Sequence, residues 1–107
     1  MEIHNYLGSG FLEVVYKDAL ELEFTMAGIP FEREKEYFIN YKGYKLPHRF
    51  FADFIVYDKI ILEVKDASTI NETYVAQTLN YLKVSGERLA LITNFGENSL
   101  NYQRIIL

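Results

Sequence analysis

The stretch ADFIVYDKIILEVK, residues 52–65, decides how this chain folds, because it is strongly apolar and still carries Asp53, Glu63 and Lys65. Charged side chains are rarely buried unless they are paired or bind a metal, since removing an unpaired charge from water is costly. These three side chains therefore either face solvent or take part in chemistry.

Hydrophobic periodicity and turn residues predict two helices and five strands. The second helix is expected to open with a capping box at Thr69–Glu72 and to end near Ser85, before Gly86. The remaining elements are a helix over residues 11–27 and strands over residues 31–40, 43–57, 60–65, 89–93 and 102–107. This order predicts an α/β fold of mixed α+β type, in which a three-stranded antiparallel meander and a later strand share one sheet with helices on its faces.

The predicted helices each place polar side chains beside an apolar face. In the first helix, the apolar stripe consists of Leu12, Val15, Ala19, Leu22 and Met26. Glu13 lies beside this stripe, one turn before Tyr16, so we expect its carboxylate to border the core. In the second helix, Gln77 shares a face with Tyr74 and Tyr81, where its amide either orients a ligand or is satisfied within the core.

The composition favours one compact domain over residues 1–107. Half of the residues are hydrophobic, and nine Tyr and eight Phe exclude a disordered chain. Without cysteine, neither a disulfide nor a thiolate zinc site can form, so any metal must bind oxygen ligands. No stretch approaches the roughly 18 apolar residues of a membrane span, and no signal peptide is visible, so we expect a cytoplasmic protein without a membrane partner.

The net charge of −4 argues against a surface that is basic throughout. Because nucleic acid is bound mainly through Lys and Arg, a nucleic-acid partner would require basic side chains that gather locally. The candidates are Lys42, Lys45, Arg49, Lys65, Lys83 and Arg88. His48 is expected to be a surface strand residue, and His4 has no visible partner in the sequence.

The turn at residues 57–59 decides whether the charges of the opening stretch meet. Side chains alternate between faces along a strand, so Glu63 and Lys65 share one face. A three-residue loop places Asp53 opposite Glu63, whereas a two-residue loop would separate them. Two facing carboxylates destabilise a sheet, and Mg²⁺ would resolve that conflict with Lys65 in reach of a bound phosphoryl group. On spacing alone, solvated surface charges are the more common arrangement.

Four sequence elements resemble those of known nucleases. The first element is similar to the split signature of the PD-(D/E)xK superfamily. It consists of Ala52-Asp53, nine intervening residues and Glu63-Val64-Lys65, with Ala52 where the motif name has proline. The other three elements resemble the GxxExxY proteins, a group of small bacterial and archaeal proteins. They are Gly10 to Tyr16 as the G-x-x-E-x-x-Y motif, Gln77 to Tyr81 as a Q-x-x-x-Y element, and Leu91 to Gly96 as the closing strand and turn. The resemblance runs from about His4 to Ile106, and the segment before the motif is shorter than this family leads us to expect.

This resemblance implies a restriction-endonuclease-like core with the element order αβββαβ. It also implies a site for Mg²⁺ or Mn²⁺, and the ligands that it assigns are Asp53, Glu63 and the Val64 carbonyl. Lys65 is the implied catalytic lysine. Glu13 corresponds to the acidic residue of the superfamily's first helix and is expected to be a further metal ligand. Gln77 corresponds to the polar residue of the second helix and is expected to act in catalysis.

The expected function is metal-dependent hydrolysis of phosphodiester bonds, with DNA as the substrate. The alternative is a catalytically weak or silent member of the same fold that binds nucleic acid or assembles as a homodimer through its aromatic residues. A binding module has no reason to keep Asp53, Glu63 and Lys65 on one face. This constellation therefore discriminates between the two functions.

Overall fold

The computed structural model describes residues 2–97 and 100–107, which fold as three helices and five strands. The elements in chain order are α1 (Glu2–Leu7), α2 (Glu13–Ala27), β1 (Phe31–Tyr41), β2 (Tyr44–Val56), β3 (Ile60–Lys65), α3 (Glu72–Ser85), β4 (Leu89–Asn94) and β5 (Asn101–Ile106). The strands form one sheet in the order β1-β2-β3-β4-β5, in which β3 and β4 are parallel and the other neighbours antiparallel. The mixed α+β architecture predicted from the sequence is therefore confirmed. No helix in these residues is long and apolar enough to cross a membrane.

α1 and the start of α3 differ from the sequence prediction. The sequence does not predict α1, because six residues carry too little periodicity to identify a helix. α3 begins at Glu72, and the Asn71 side chain accepts a hydrogen bond from the Tyr74 N–H (3.0 Å). The predicted capping box opening at Thr69 is therefore wrong, because Asn71 occupies the capping position.

α2 packs on the sheet through a different face from the one predicted. Its buried residues are Tyr16 and Leu20, and Phe24 packs beside them. The predicted apolar stripe is wrong, since Leu22 and Met26 are 59% and 65% exposed. Apolar residues occur on both sides of this helix, and periodicity alone then does not identify the buried face.

Two hydrophobic clusters cover the two faces of the sheet. On one face, Leu62 of β3 packs in a cluster with α1 and α2 that includes Tyr16. On the opposite face, Ile61 of β3 packs in a cluster with Leu82 of α3. Because side chains alternate along a strand, Glu63 lies on the face that α3 covers.

The tyrosine of the G-x-x-E-x-x-Y motif fixes the loop between α1 and α2. Tyr16 is fully buried and stacks on Phe95, with ring centroids 4.4 Å apart. Its hydroxyl donates to the Gly8 carbonyl oxygen (2.7 Å) and accepts from the Phe11 N–H (3.2 Å). Gly10, in the same loop, has a φ of 103°, a conformation that favours glycine. The glycine and the tyrosine of the motif therefore both have structural roles.

His4 is buried in α1 and does have a partner. Its Nε2–H donates to the carbonyl oxygen of Glu97 (2.9 Å), and its ring stacks on Phe95 with centroids 6.2 Å apart. This partner lies 93 residues away along the chain, which is why the sequence does not reveal it. His48 is exposed on β2, as the sequence predicts.

β1 and β2 form a long hairpin that extends beyond the rest of the sheet. β2 has 13 residues, but it pairs with β3 only from Phe54 to Val56. The hairpin bends where it leaves β3. The bend is evident from the packing, since Ala52 lies in the cluster on the α3 side and Phe54 in the cluster on the α2 side. In a regular strand, these two residues would share a face. Glu34, across from this bend on β1, has a positive φ of 54°.

Tyr16→Phe keeps the buried ring and removes only the hydroxyl that joins Gly8 to Phe11. We expect the free energy of unfolding to fall by about 1–2 kcal/mol, because a backbone donor and a backbone acceptor lose their partner. Tyr6→Phe is the matched control, since Tyr6 is 88% exposed. Urea unfolding measures both variants, and equal effects would contradict the structural role of the Tyr16 hydroxyl.

Candidate active site

The turn at residues 57–59 brings Asp53 to the end of the β2–β3 ladder. The register pairs Val56 with Ile60 and Phe54 with Leu62, so the loop has three residues, one of the two lengths expected from the sequence. Asp53 and Glu63 are the next residues along the two strands, and their carboxyl groups lie close enough to affect each other's charge. The ladder ends at Phe54. Beyond it, the Asp53 side chain accepts a hydrogen bond at Oδ2 from the Val64 N–H (2.7 Å). The Asp53 side chain is therefore hydrogen-bonded to β3 at the point where the backbone of β2 no longer pairs with β3.

Glu63 is an acidic side chain held in the interior. It is 5% exposed, and its Oε1 has no hydrogen-bond partner among the described residues. Burial raises the pKa of Glu63 well above its ordinary value, and the charge of Asp53 and a hydrogen bond with that carboxyl raise it further. Lys65 acts in the opposite direction and lowers the pKa. The two carboxyl groups are therefore close neighbours, and Glu63 favours its protonated form.

Lys65 lies two residues beyond Glu63 on the same face of β3. Its Nζ lies 5.0 Å from the ring centroid of Tyr74 on α3, in a cation–π contact. Tyr81, two turns further along α3, has a pKa raised by burial and by the charges of Glu63 and Asp53. α3 therefore covers this face of the site with two tyrosines.

Gln77 lies on α3 between those two tyrosines and is exposed. The alternative that its amide is satisfied inside the core is wrong, because the core of this face is filled by Leu82 and its neighbours. An exposed amide between Tyr74 and Tyr81 is free to meet a ligand that approaches from solvent.

Glu13 is exposed at the start of α2, so the expectation that it borders the core is wrong. The reason is the changed packing face of α2, which turns Tyr16 inward instead of the predicted stripe. Its Oε2 nevertheless lies 3.4 Å from the backbone nitrogen of Asp66, the residue that follows Lys65. Glu13 therefore contacts the end of β3 from the side of α2.

Lys17 is a site residue that sequence reasoning missed. Its Nζ lies 3.3 Å from Oδ1 of Asp53 and 2.9 Å from Oε1 of Glu34. Partial burial lowers the pKa of Lys17, but its contacts with Glu34 and Asp53 raise it by more, so its pKa lies above the ordinary value. The signal in the sequence is the spacing of four residues from Glu13, which places both side chains on one helix face.

Asn94 connects the end of β4 to the segment that follows Lys65. Its Oδ1 accepts from the N–H groups of Ala67 (3.0 Å) and Gly96 (3.1 Å), and its Nδ2 donates to the Ala67 carbonyl oxygen (3.0 Å). A side chain at position 96 would not fit, because a Cβ there would lie 2.3 Å from the Ala67 carbonyl oxygen. The Asn94-Phe95-Gly96 turn therefore holds the backbone next to Lys65 in place.

The residues at this point fit a divalent cation with two protein carboxylates. In the described part of the chain, no group of three or more His, Cys, Asp or Glu side chains is arranged around a common centre. Mg²⁺ commonly binds through one or two carboxylates and completes its shell with water and substrate phosphate oxygens. The unpartnered Oε1 of Glu63, beside the Asp53 carboxylate, is the observation that supports this fit.

Glu63→Gln should remove a pH dependence of stability in the metal-free protein. A carboxyl whose pKa is raised on folding stabilises the fold fully below its ordinary pKa of 4.5, and that contribution is lost as pH rises towards the raised value. We therefore expect the parent in chelator to lose more than about 1 kcal/mol of unfolding free energy between weakly acidic and alkaline pH, and the variant not to. Asp58→Asn, in the exposed turn, is the control that should keep the loss. Parallel curves for parent and Glu63→Gln would rule out the raised pKa.

Lys17→Met should make the protein more responsive to Mg²⁺. A divalent cation at Asp53 would compete with the ammonium of Lys17 for the carboxylate, so removing the ammonium should strengthen cation binding while costing about 1 kcal/mol of stability in chelator. Thermal melts with and without millimolar Mg²⁺ measure both effects. Lys59→Met, in the exposed turn, serves as the control. An equal Mg²⁺ shift in all three proteins would show that Lys17 does not compete with the cation.

The sequence matches the PD-(D/E)XK nuclease superfamily over residues 1–105. Among solved structures, the crystal structure of SSO0001 is similar, with a TM-score of 0.69 and 17% sequence identity over 86% of this chain and 49% of that one. This chain spans about half the length of that neighbour, and at such identity the likeness shows the fold alone. The comparison with curated proteins gives no match. Because the superfamily match covers nearly the whole chain and the mixed sheet is consistent with a restriction-endonuclease-like core, the protein belongs to the PD-(D/E)XK nuclease superfamily.

Proposed function

We propose that the protein is a metal-dependent nuclease that hydrolyses phosphodiester bonds in DNA, with Mg²⁺ or Mn²⁺ as its cofactor. Membership of the superfamily supports a nuclease-type function and a nucleic-acid substrate. The observation that carries the proposal is the buried Glu63, whose Oε1 lacks a partner and whose carboxyl is coupled to Asp53. Keeping such a group in a sheet costs stability, and cation binding gives it a function.

The proposed ligands of the ion are the carboxylates of Asp53 and Glu63 together with the Val64 carbonyl. When bound, the ion would supply Lewis-acid polarisation of a phosphoryl oxygen. Asp53 is held at the end of β3 by the Val64 N–H, which donates to its Oδ2 (2.7 Å), while its Oδ1 pairs with Lys17 (3.3 Å). Glu63 must lose its proton to bind the ion, so its high pKa makes binding pH-dependent.

Lys65 is the proposed catalytic lysine. Its ammonium extends from the same face of β3 as Glu63, and the Tyr74 ring (5.0 Å) stabilises its charge without taking one of its donors. From this position, it would orient the attacking water and donate to oxygens of the phosphoryl group as negative charge develops there.

Gln77 and Glu13 are proposed to act at the rim of the site. Gln77 presents its amide from α3, where it would hydrogen-bond a phosphate or a water molecule. Glu13 reaches the segment after Lys65 from α2 and would hold water around the ion. Assignment to the GxxExxY group stays a prediction, which the structural roles of Gly10 and Tyr16 support.

The test is cleavage of plasmid DNA and of a single-stranded oligonucleotide by the purified protein. We expect cleavage with Mg²⁺ or Mn²⁺ and none with chelator. Lys65→Met should reduce the rate by about 100-fold or more, because it removes the charge that stabilises the transition state. Lys59→Met changes a lysine outside the site and should cleave like the parent. Metal-independent cleavage, or full activity of Lys65→Met, would contradict the proposal.

The alternative, a homodimeric assembly module, is favoured by apolar surface on the α2 side of the sheet. An open cleft of about 300 Å³ lies there, lined by residues that include Phe24, Leu91 and Tyr102. β5 also forms one edge of the described sheet. Light scattering tests assembly, and a species of 12.6 kDa at high protein concentration would remove this alternative.

A further inference from the structure

The far part of the β1–β2 hairpin, residues 35–51, differs in charge from the rest of the protein, and we call it the hairpin arm. It contains four basic residues and one acidic residue, which gives it a net charge of +3, against −4 for the whole chain and therefore −7 for the remainder. The basic residues are Lys35, Lys42, Lys45 and Arg49. The arm projects beyond β3, since β3 pairs with β2 only from Phe54 onwards.

Part of this positive charge is available to a ligand. The one acidic residue of the arm, Glu36, is neutralised by an ion pair with Arg49, and Lys35 pairs with Glu32 (3.3 Å). Lys42 and Lys45 have no carboxylate within 4.0 Å in the part of the chain that the structure describes. Their ammonium groups therefore remain free to pair with an anion.

Aromatic rings accompany these basic groups. Lys45 and Arg49 both lie over the ring of Phe38, at 4.4 Å and 5.2 Å from its centroid. At the tip of the hairpin, Lys42 lies over the ring of Tyr41 at 5.5 Å from its centroid, and Tyr44, the cross-strand partner of Tyr41, is 76% exposed. Exposed aromatic rings beside unpaired cations are the combination that binds single-stranded nucleic acid, in which bases stack and phosphates pair with Lys or Arg.

We propose that the hairpin arm binds a single-stranded segment of the nucleic-acid substrate and leads it to the pair of carboxyl groups at Asp53 and Glu63. This inference rests on the proposed function, because it names the surface that binds the substrate of the same site. The phosphates contact Lys42 and Lys45, and an unpaired base stacks on Tyr44.

The geometry of β2 connects this surface to the site. Lys45 and Asp53 are eight residues apart on one strand, a distance of about 26 Å at the usual rise per residue. A strand of nucleic acid that follows β2 from the tip of the hairpin therefore reaches Asp53 within a few nucleotides. The acidic remainder of the protein repels a polyanion, which confines electrostatic binding to the arm.

The experiment measures binding in chelator by fluorescence anisotropy, so that cleavage does not enter. The probes are an oligothymidine of about 20 nucleotides and a duplex of equal length, titrated across a range of salt concentrations. The arm variant is Lys42→Asn with Lys45→Gln, in which Asn tolerates the positive φ of 50° at position 42. The matched control is Lys59→Gln with Arg104→Gln, which removes the same charge at exposed positions outside the arm.

We expect the parent to bind the single strand more tightly than the duplex. The arm variant should lose about tenfold or more in affinity at low salt, and the slope of log affinity against log salt should fall by about 1.4 for two phosphate contacts. Tyr44→Ala should lose about fivefold with an unchanged slope, because stacking is not ionic. The control should bind like the parent, and all variants should keep the parent's melting temperature.

The inference is overturned if the parent does not bind, if it prefers the duplex, or if the arm variant binds no more weakly than the control. Failure of the proposed function has a different signature. If the parent binds through the arm in chelator but cleaves nothing with Mg²⁺ or Mn²⁺, the proposed nuclease function is contradicted and the role of the arm in binding is not. If the parent cleaves nucleic acid and the arm variant binds and cleaves equally well, the arm does not bind the substrate, and only this inference is contradicted.

Discussion

The hydrogen bond from the Val64 N–H to the Asp53 carboxylate (2.7 Å) is the interaction on which the rest of the site depends. In a regular antiparallel ladder, a carbonyl oxygen of the partner strand would accept from this N–H, and β2 would continue along β3. Here an acidic side chain takes that role, and the backbone of β2 is free to bend away. The same bond therefore fixes Asp53 beside Glu63 and allows the hairpin to project from the sheet.

The negative charge collected at this bend is balanced differently on the two sides of the sheet. From α2, Lys17 pairs with Asp53 at 3.3 Å. On the side of α3, burial and the charge of Asp53 disfavour the Glu63 carboxylate, and its pKa rises. Protonation lowers the cost of burying Glu63 in the metal-free protein. An ion bound at the proposed site would have to displace that proton.

The hairpin geometry is predictable from the sequence because alternation along a strand and turn length are local properties. They place Glu63 on one face with Lys65 and, with three turn residues, predict Asp53 opposite Glu63. Lys17 is not predictable in this way, since it meets Asp53 from 36 residues away, and its spacing of four residues from Glu13 does not by itself distinguish it from other lysines on a helix face. The buried face of α2 is also missed, because apolar residues occur on both of its sides and only tertiary packing selects Tyr16. The positive φ of Glu34, across from the bend, is also not predictable, because glutamate has no preference for that conformation.

The most direct test of this account is a calorimetric titration of Mg²⁺ into the protein near neutral pH, repeated in two buffers that differ in their heat of ionisation. The difference between the two measured heats gives the number of protons released on binding. We expect the release of about one proton per bound ion, because Glu63 must pass from its protonated to its ionised form when it binds the ion. No binding would contradict a metal site at Asp53 and Glu63, and binding without proton release would contradict the protonated state of Glu63 in the metal-free protein.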